Sequence, residues 1–250
     1  MMRVLITGAV EGLGRALCDA CLARGDFVVA LDNNKAGLHS LTQAHVRQCE
    51  GHHLDLSDIA AVRRFLENDV TVPFDLVILN AGISAAGPFE TIEAATYQKL
   101  IAINATSPLL IASGLLRANA LAKGGKMVFI SSLSHDVGYP GAAVYAATKD
   151  AVAAYARSIE KPLRKAGQGV LTVFPGPLRT EHARRYAPDN SREHKRMDPK
   201  DAARMILKAA NGNQTKLYPG LGAKLAGFAG RHAPSLMTSL MRKSIYEKLT

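Results

Sequence analysis

The chain has 250 residues, 48% of them hydrophobic and 21% charged, which is enough apolar content for one large core and too much for a disordered chain. Its formal charge of +10 is uneven: positions 181–250 carry 14 Lys/Arg against 6 Asp/Glu, so an anionic substrate, an anionic membrane surface and nucleic acid are to be weighed against a plain solvated basic face. The apolar run behind Met1-Met2-Arg3 is too short for a signal peptide and no stretch approaches the roughly 20 apolar residues of a membrane span, so the expected location is the cytoplasm.

In chain order, the first element is the buried strand Val4-Leu5-Ile6. Thr7-Gly8-Ala9-Val10-Glu11-Gly12-Leu13-Gly14 follows it at once and opens a helix. Glycines there let the backbone turn sharply and approach a pyrophosphate, and the helix start offers unpaired amides and a positive dipole end. A tight turn is the plain alternative. Gly8, Glu11, Gly12, Leu13 and Gly14 are the candidate cofactor residues of this loop. Cys18 and Cys21 form a CxxC within the helix. Without a second ligand pair they read as buried cysteines, like Cys49. Gly25, after Ala23-Arg24, suits the left-handed residue at a helix end.

A second strand, Phe27–Leu31, ends at Asp32. A carboxylate there, 18 residues after Gly14, can accept from ribose hydroxyls and repels a 2′-phosphate, which favours NAD over NADP. Lys35 and Arg15 nearby keep NADP open, and a turn or cap role is the alternative for Asp32. A weaker strand precedes Asp55. Ser57 is the expected cap of a helix from Asp58 to about Asn68. Leu76–Leu79, Met127–Ile130 and Val170–Phe174 are further buried strands, Asp198-Pro199 opens a helix, and Lys216-Leu217-Tyr218 is the candidate seventh strand. Continuous apolar strands alternating with helices predict one α/β domain, 1–250. Its architecture is Rossmann-like and doubly wound, with a parallel sheet of about seven strands and helices on both faces.

Tyr145-Ala146-Ala147-Thr148-Lys149 lies in a predicted helix from Gly141 to about Lys161, where Pro162 should kink or end it. Positions four apart share a face, so Tyr145 and Lys149 project together. A neighbouring ammonium is expected to lower the phenol's pKa from near 10, making an acid/base pair.

With these features the sequence resembles the short-chain dehydrogenase/reductase family, to about Thr180. Thr7, Gly8, Gly12 and Gly14 match its TGxxxGxG, and Tyr145 with Lys149 its YxxxK. Asp55, followed by Leu56, matches its adenine-contacting acid, and Asn80-Ala81-Gly82 its NAG motif. Asn104 matches the asparagine that orders a water, Ser132 the serine 13 residues before the tyrosine, and Pro175-Gly176 with Thr180 the element that holds nicotinamide. The resemblance implies hydride transfer between a nicotinamide cofactor and a secondary alcohol or ketone. In it Ser132 and Tyr145 hold the substrate oxygen, Tyr145 moves the proton, Lys149 binds ribose and tunes Tyr145, and Asn104 links the lysine to solvent. It implies no metal, and a homodimer or homotetramer formed through the helices that carry Asn104 and Tyr145. Three positions depart from the pattern. Leu79 replaces an often-seen asparagine, Pro162 interrupts the helix, and His135 stands where a glycine is usual, so that Ser134-His135-Asp136 either shapes the substrate pocket or is a polar loop.

Residues 181–198, with Arg184, Arg185, Arg192, Lys195 and Arg196, read as a mobile lid whose arginines bind an anion or form a solvated basic loop. In 231–250 an amphipathic segment places Leu236, Met237, Leu240, Met241, Ile245 and Leu249 on one face, away from Arg242, Lys243 and Lys248. It is expected to pack on the substrate pocket or a second subunit. An anionic membrane and a lipid-like or anionic substrate are the alternative. The alternative for the whole chain is a catalytically idle cofactor-binding scaffold or sensor. Nothing signals nucleic-acid recognition.

Overall fold

The computed structural model describes residues 1–186, 190–191, 193–244 and 246–248. Seven strands form one parallel sheet in the order β3-β2-β1-β4-β5-β6-β7. They are β1 Arg3–Thr7, β2 Phe27–Asp32, β3 Cys49–His53, β4 Phe74–Leu79, β5 Leu121–Ile130, β6 Gly169–Val173 and β7 Lys216–Leu217. The helices are α1 Gly12–Ala23, α2 Lys35–Ala44, α3 Ile59–Asn68, α4 Ala94–Ile101, α5 Ser107–Arg117, α6 Ser134–Val137, α7 Ala143–Lys165, α8 Glu181–Tyr186, α9 Pro199–Ala210, α10 Leu221–His232 and α11 Pro234–Ser244. The expected doubly wound α/β fold is the observed one.

The apolar strands are continuous because each feeds two cores. Val4, Ile6, Val28, Ala30, Leu76 and Ile78 pack under α1, α2 and α9. Their neighbours Leu5, Val29, Leu31, Val77 and Leu79 pack under α3, α5 and α7. Cys18, Cys21 and Cys49 are free and buried in the first core, and burial pushes the Cys21 and Cys49 thiols up to about 11.

Local chemistry departs from expectation at several points. The cap of α3 is Asp58, whose carboxylate accepts from Ala61 N at 2.9 Å, and Ser57 bonds to Asp55 instead. Helix α7 begins at Ala143 and runs through Pro162 to Lys165. Pro162 and Ser158, whose carbonyl the missing amide would have bonded, are both exposed, so the gap lies on the solvent side while buried Leu163 anchors the last turn. The helical run Ala94–Arg117 is long and apolar enough to cross a membrane by length and composition, contrary to the expectation that no stretch comes near that length. Half of it is buried, with Ile103, Ile111 and Leu115 in the second core.

The strand order reverses between β1 and β4. A crevice at such a point, beyond the carboxyl ends of the strands, is where doubly wound sheets bind their ligands.

Candidate active site

The loop between β1 and α1 is built around absent side chains. A Cβ at Gly14 would stand 1.7 Å from the Gly8 carbonyl oxygen, and one at Gly12, where φ is +53°, would stand 3.3 Å from the Thr180 methyl. The loop is braced from β4. Asn80 N–H and Ala81 N–H both donate to Thr7 Oγ1 at 3.0 Å, and Asn80 Nδ2 donates to the Thr7 and Gly8 carbonyls at 3.0 and 3.1 Å. No side chain caps α1, and its first turn carries no acidic residue. Its leading amides, beside Leu13, are therefore left for an anion.

Asp32 is partly buried and anchors the same loop, accepting from Val10 N at 3.1 Å and Asn34 N at 2.9 Å. It has the turn role as well, yet a carboxylate accepting two bonds keeps free lone pairs. Arg15 is held by Asp19 at 2.8 Å. Asp55 is exposed at the end of β3, and bonds from the Ser57 amide and hydroxyl hold its carboxyl below the usual range. Leu56 beside it is buried, with its carbonyl accepting from Ser107 Oγ.

At the catalytic end three elements converge. Asn104 lies in a π-turn, Ala102–Thr106, between α4 and α5, a distortion frequent at functional sites. Its carboxamide accepts from Ile83 N at 2.9 Å and donates to Ile83 O at 2.8 Å and to Thr148 Oγ1 at 3.1 Å. Lys149 is buried and donates from Nζ to the Ile130 carbonyl at 2.9 Å. A Cβ on Gly82 would stand 3.1 Å from that Nζ and 3.4 Å from Asn104 Oδ1, so the glycine leaves the space between them. Ser132 stands beside Tyr145, close enough to act on its phenol, and the Tyr145 ring meets Tyr139 edge-on at 6.3 Å.

The expected acidification of Tyr145 is not observed. Burial pushes the phenol up to about 12, opposed by Ser132 and aided by Tyr139. Lys149 Nζ sits over the ring, 5.8 Å from its centroid, with one of its donors on the Ile130 carbonyl. Burial lowers Lys149 itself to about 8.

The motif at Pro175-Gly176 follows β6 and lies against the segment after Ser132. Pro175 O accepts from Leu133 N at 3.0 Å, and Thr180 Oγ1 accepts from Ala183 N at 3.1 Å at the start of α8. Within the 181–198 segment Arg184 is committed to Glu193 at 2.7 Å and Glu181 at 3.3 Å. Arg192 lies outside the described residues. His182 shows that the segment approaches the catalytic groups: desolvation, then the charges of Lys149 and Arg185, lower its imidazole to about 4.

Ser134-His135-Asp136 is no loose polar loop: Ser134 N donates to Ser132 Oγ at 3.1 Å, while His135 and Asp136 are held elsewhere. His135 Nδ1 lies 2.8 Å from Asp150 and its ring stacks on Phe174. Asp136 accepts from Tyr218 Oη at 2.7 Å and pairs with Arg231 at 3.3 Å. These residues wall a separate cavity of about 390 Å³, to which Ser132, Tyr145 and Lys149 do not contribute. Sequence reasoning missed Thr7 as a brace, Thr148 as the partner of Asn104, and His182. The first two are signalled only by lying inside motifs, and His182 by standing two residues after Thr180.

A family model described as short chain dehydrogenase matches residues 2–191. The 3-oxoacyl-(acyl-carrier-protein) reductase of Salmonella typhimurium is 27% identical over 188 residues, covering 74% of this chain and 77% of that protein. Among solved structures, a short-chain dehydrogenase/reductase from Burkholderia phymatum in complex with NAD superposes with a TM-score of 0.81 at 19% identity, covering 94% of each chain. A short chain dehydrogenase from Burkholderia cenocepacia in complex with NADP does so with a TM-score of 0.78 at 23% identity, covering 96% of this chain and 97% of that one. The match across three quarters of the sequence, on the sheet and glycine loop just described, makes the chain a member of the short-chain dehydrogenase/reductase family of oxidoreductases.

Proposed function

We propose that this enzyme transfers hydride between a nicotinamide cofactor and a secondary alcohol or ketone, using Ser132, Tyr145, Lys149 and Asn104. The observation that carries the reading is the convergence of Lys149 Nζ and Asn104 Oδ1 on the space left by Gly82, one helical turn from a Tyr145 that has Ser132 beside it. The residues present fit the cofactor: the missing side chains of Gly8, Gly12 and Gly14 let the loop fold tightly on Ala81, Thr180 and itself, ahead of an uncapped helix start whose amides suit a pyrophosphate. Asp32 and Asp55 stand where adenosine would lie, and Ala81, Gly82, Pro175, Gly176 and Thr180 border the nicotinamide end. Bound there, nicotinamide supplies or accepts the hydride.

The chain's own groups do the rest. Ser132 Oγ and Tyr145 Oη hold the substrate oxygen. A phenol near 12 is protonated at neutral pH, the state from which it donates to a carbonyl oxygen during reduction, and in oxidation the proton returns to Oη. Lys149 holds ribose hydroxyls beside Tyr145, and Asn104 relays its proton toward solvent through water. Positioning and fixed charge supply the acceleration. NAD is the preferred cofactor because Asp32 brings negative charge to the ribose and Arg15 is turned to Asp19. The relative named as a 3-oxoacyl reductase supports a ketone as the oxidised substrate. The proposal also places the enzyme in the cytoplasm, with subunits paired through α4, α5 and α7.

Fluorescence titration with NADH and NADPH, followed by turnover of a panel of ketones and secondary alcohols, tests this reading. Saturable binding with turnover of at least one carbonyl is expected. Tight binding without turnover across the panel would reassign the chain as an idle cofactor-binding protein.

A further inference from the structure

Helices α10 and α11 leave an apolar surface uncovered. Half of the ten large hydrophobic side chains exposed among the described residues stand on these two helices: Leu221 77%, Leu225 69%, Phe228 64%, Leu236 61% and Leu240 51%. On α10, positions 221, 225 and 228 share one stripe. The opposite stripe, Ala223, Gly227 and Gly230, is buried, with Gly227 against the Tyr218 ring and Gly230 against the Asp136 backbone. The Leu/Phe stripe therefore points straight away from the protein. On α11 the expected single apolar face is split: Met237 and Met241 are half-buried, while Leu236 and Leu240 face outward. Ile245 and Leu249 lie outside the described residues.

Charge decides what covers this surface. Positions 221–248 carry five Lys/Arg against a single carboxylate, Glu247; Arg231 pairs with Asp136 and Arg242 with Glu247, and Lys224 and Lys243 stand exposed beside the apolar side chains. Two copies meeting here would bring like charge together, which opposes association. A bilayer with anionic lipids suits both features, because apolar side chains reach the acyl boundary while cations meet headgroups. We infer that α10 and α11 dock the protein on an anionic membrane surface. Both helices pack on α6, and α11 also on the Pro140–Ala142 turn, so through their inner sides the docking helices adjoin the segments that lead to Ser132 and Tyr145. The inference stands independently of the hydride-transfer reading.

The test is co-sedimentation of the full chain with vesicles of phosphatidylcholine containing phosphatidylglycerol, and with phosphatidylcholine alone. The protein is expected to pellet with the anionic vesicles, in a salt-sensitive way, and to bind the neutral ones about tenfold or more weakly. Leu225→Glu/Leu236→Glu, altered at solvent-facing positions, should keep the circular dichroism spectrum and Tm and lose binding by about a hundredfold. Should that variant fail to fold, exposed Lys243→Gln should still weaken binding about fivefold. Wild type remaining in the supernatant with anionic vesicles, or variants pelleting as wild type does, would overturn the inference. So would sedimentation equilibrium showing a dimer that Leu225→Glu/Leu236→Glu dissociates, without vesicle binding, which would assign the face to a second copy.

Discussion

Lys149 carries its charge into a buried site, where it loses its proton near pH 8 and not at 10.5. Below about 8 the ammonium is protonated in both folded and unfolded chains, and the burial penalty is fully present. Between about 8 and 10.5 the unfolded chain binds more protons, so this residue's contribution to stability rises with pH. Lys149→Met removes that dependence. Urea unfolding across this range should show wild type gaining about 3 kcal/mol relative to the variant, and a constant difference would refute the burial. At Asp32 the outcome is a ratio. Asp32→Ser removes the charge opposed to a 2′-phosphate, and NADH-over-NADPH affinity should fall about tenfold or more by fluorescence titration. Because both backbone bonds to Asp32 are also lost, the ratio is the diagnostic quantity and the separate affinities are not. The acid/base pair was legible as a spacing, but its electrostatics were not. A spacing shows that Tyr145 and Lys149 share a face, whereas desolvation and the Ile130 carbonyl decide which way their pKa values move.

The glycine loop separates two kinds of glycine. Gly14→Ala drives a methyl into the Gly8 carbonyl; the loop must shift, and NADH affinity should fall about a hundredfold. Gly25 has nothing within 4 Å but a φ of +82°. Gly25→Ala should cost about 1 kcal/mol of stability and leave NADH affinity unchanged. Equal cofactor affinity in both variants would contradict the crowding at Gly14. Strands whose residues feed both cores, such as Val4–Ile6, were plain in the sequence because burial on both faces demands continuous apolar residues. Edge strand β3, Cys-Glu-Gly-His-His, was weak because only Cys49 is buried and the other four residues are polar or glycine. Helix ends were less legible: Asp58 and Ser57 are both good caps, and only the fold shows which one reaches Ala61.

Across the whole molecule, the motif positions proposed for the site follow the carboxyl ends of β1 to β6 or lie on α7 and the π-turn before α5. What the sequence could not locate were contacts joining distant segments. Asp136 meets Tyr218 and Arg231 across the chain, and no local pattern announces such a hub. The C-terminal helices split their apolar residues between core and solvent for the same reason, since periodicity gives a face without saying what it meets. The account as a whole rests on proton transfer at Tyr145, and Tyr145→Phe tests it most directly, with NADH affinity measured alongside turnover of a ketone that wild type reduces. Cofactor affinity should stay within about twofold while kcat/KM falls between about a hundredfold and ten-thousandfold. Unchanged turnover by the phenylalanine variant would contradict the mechanism.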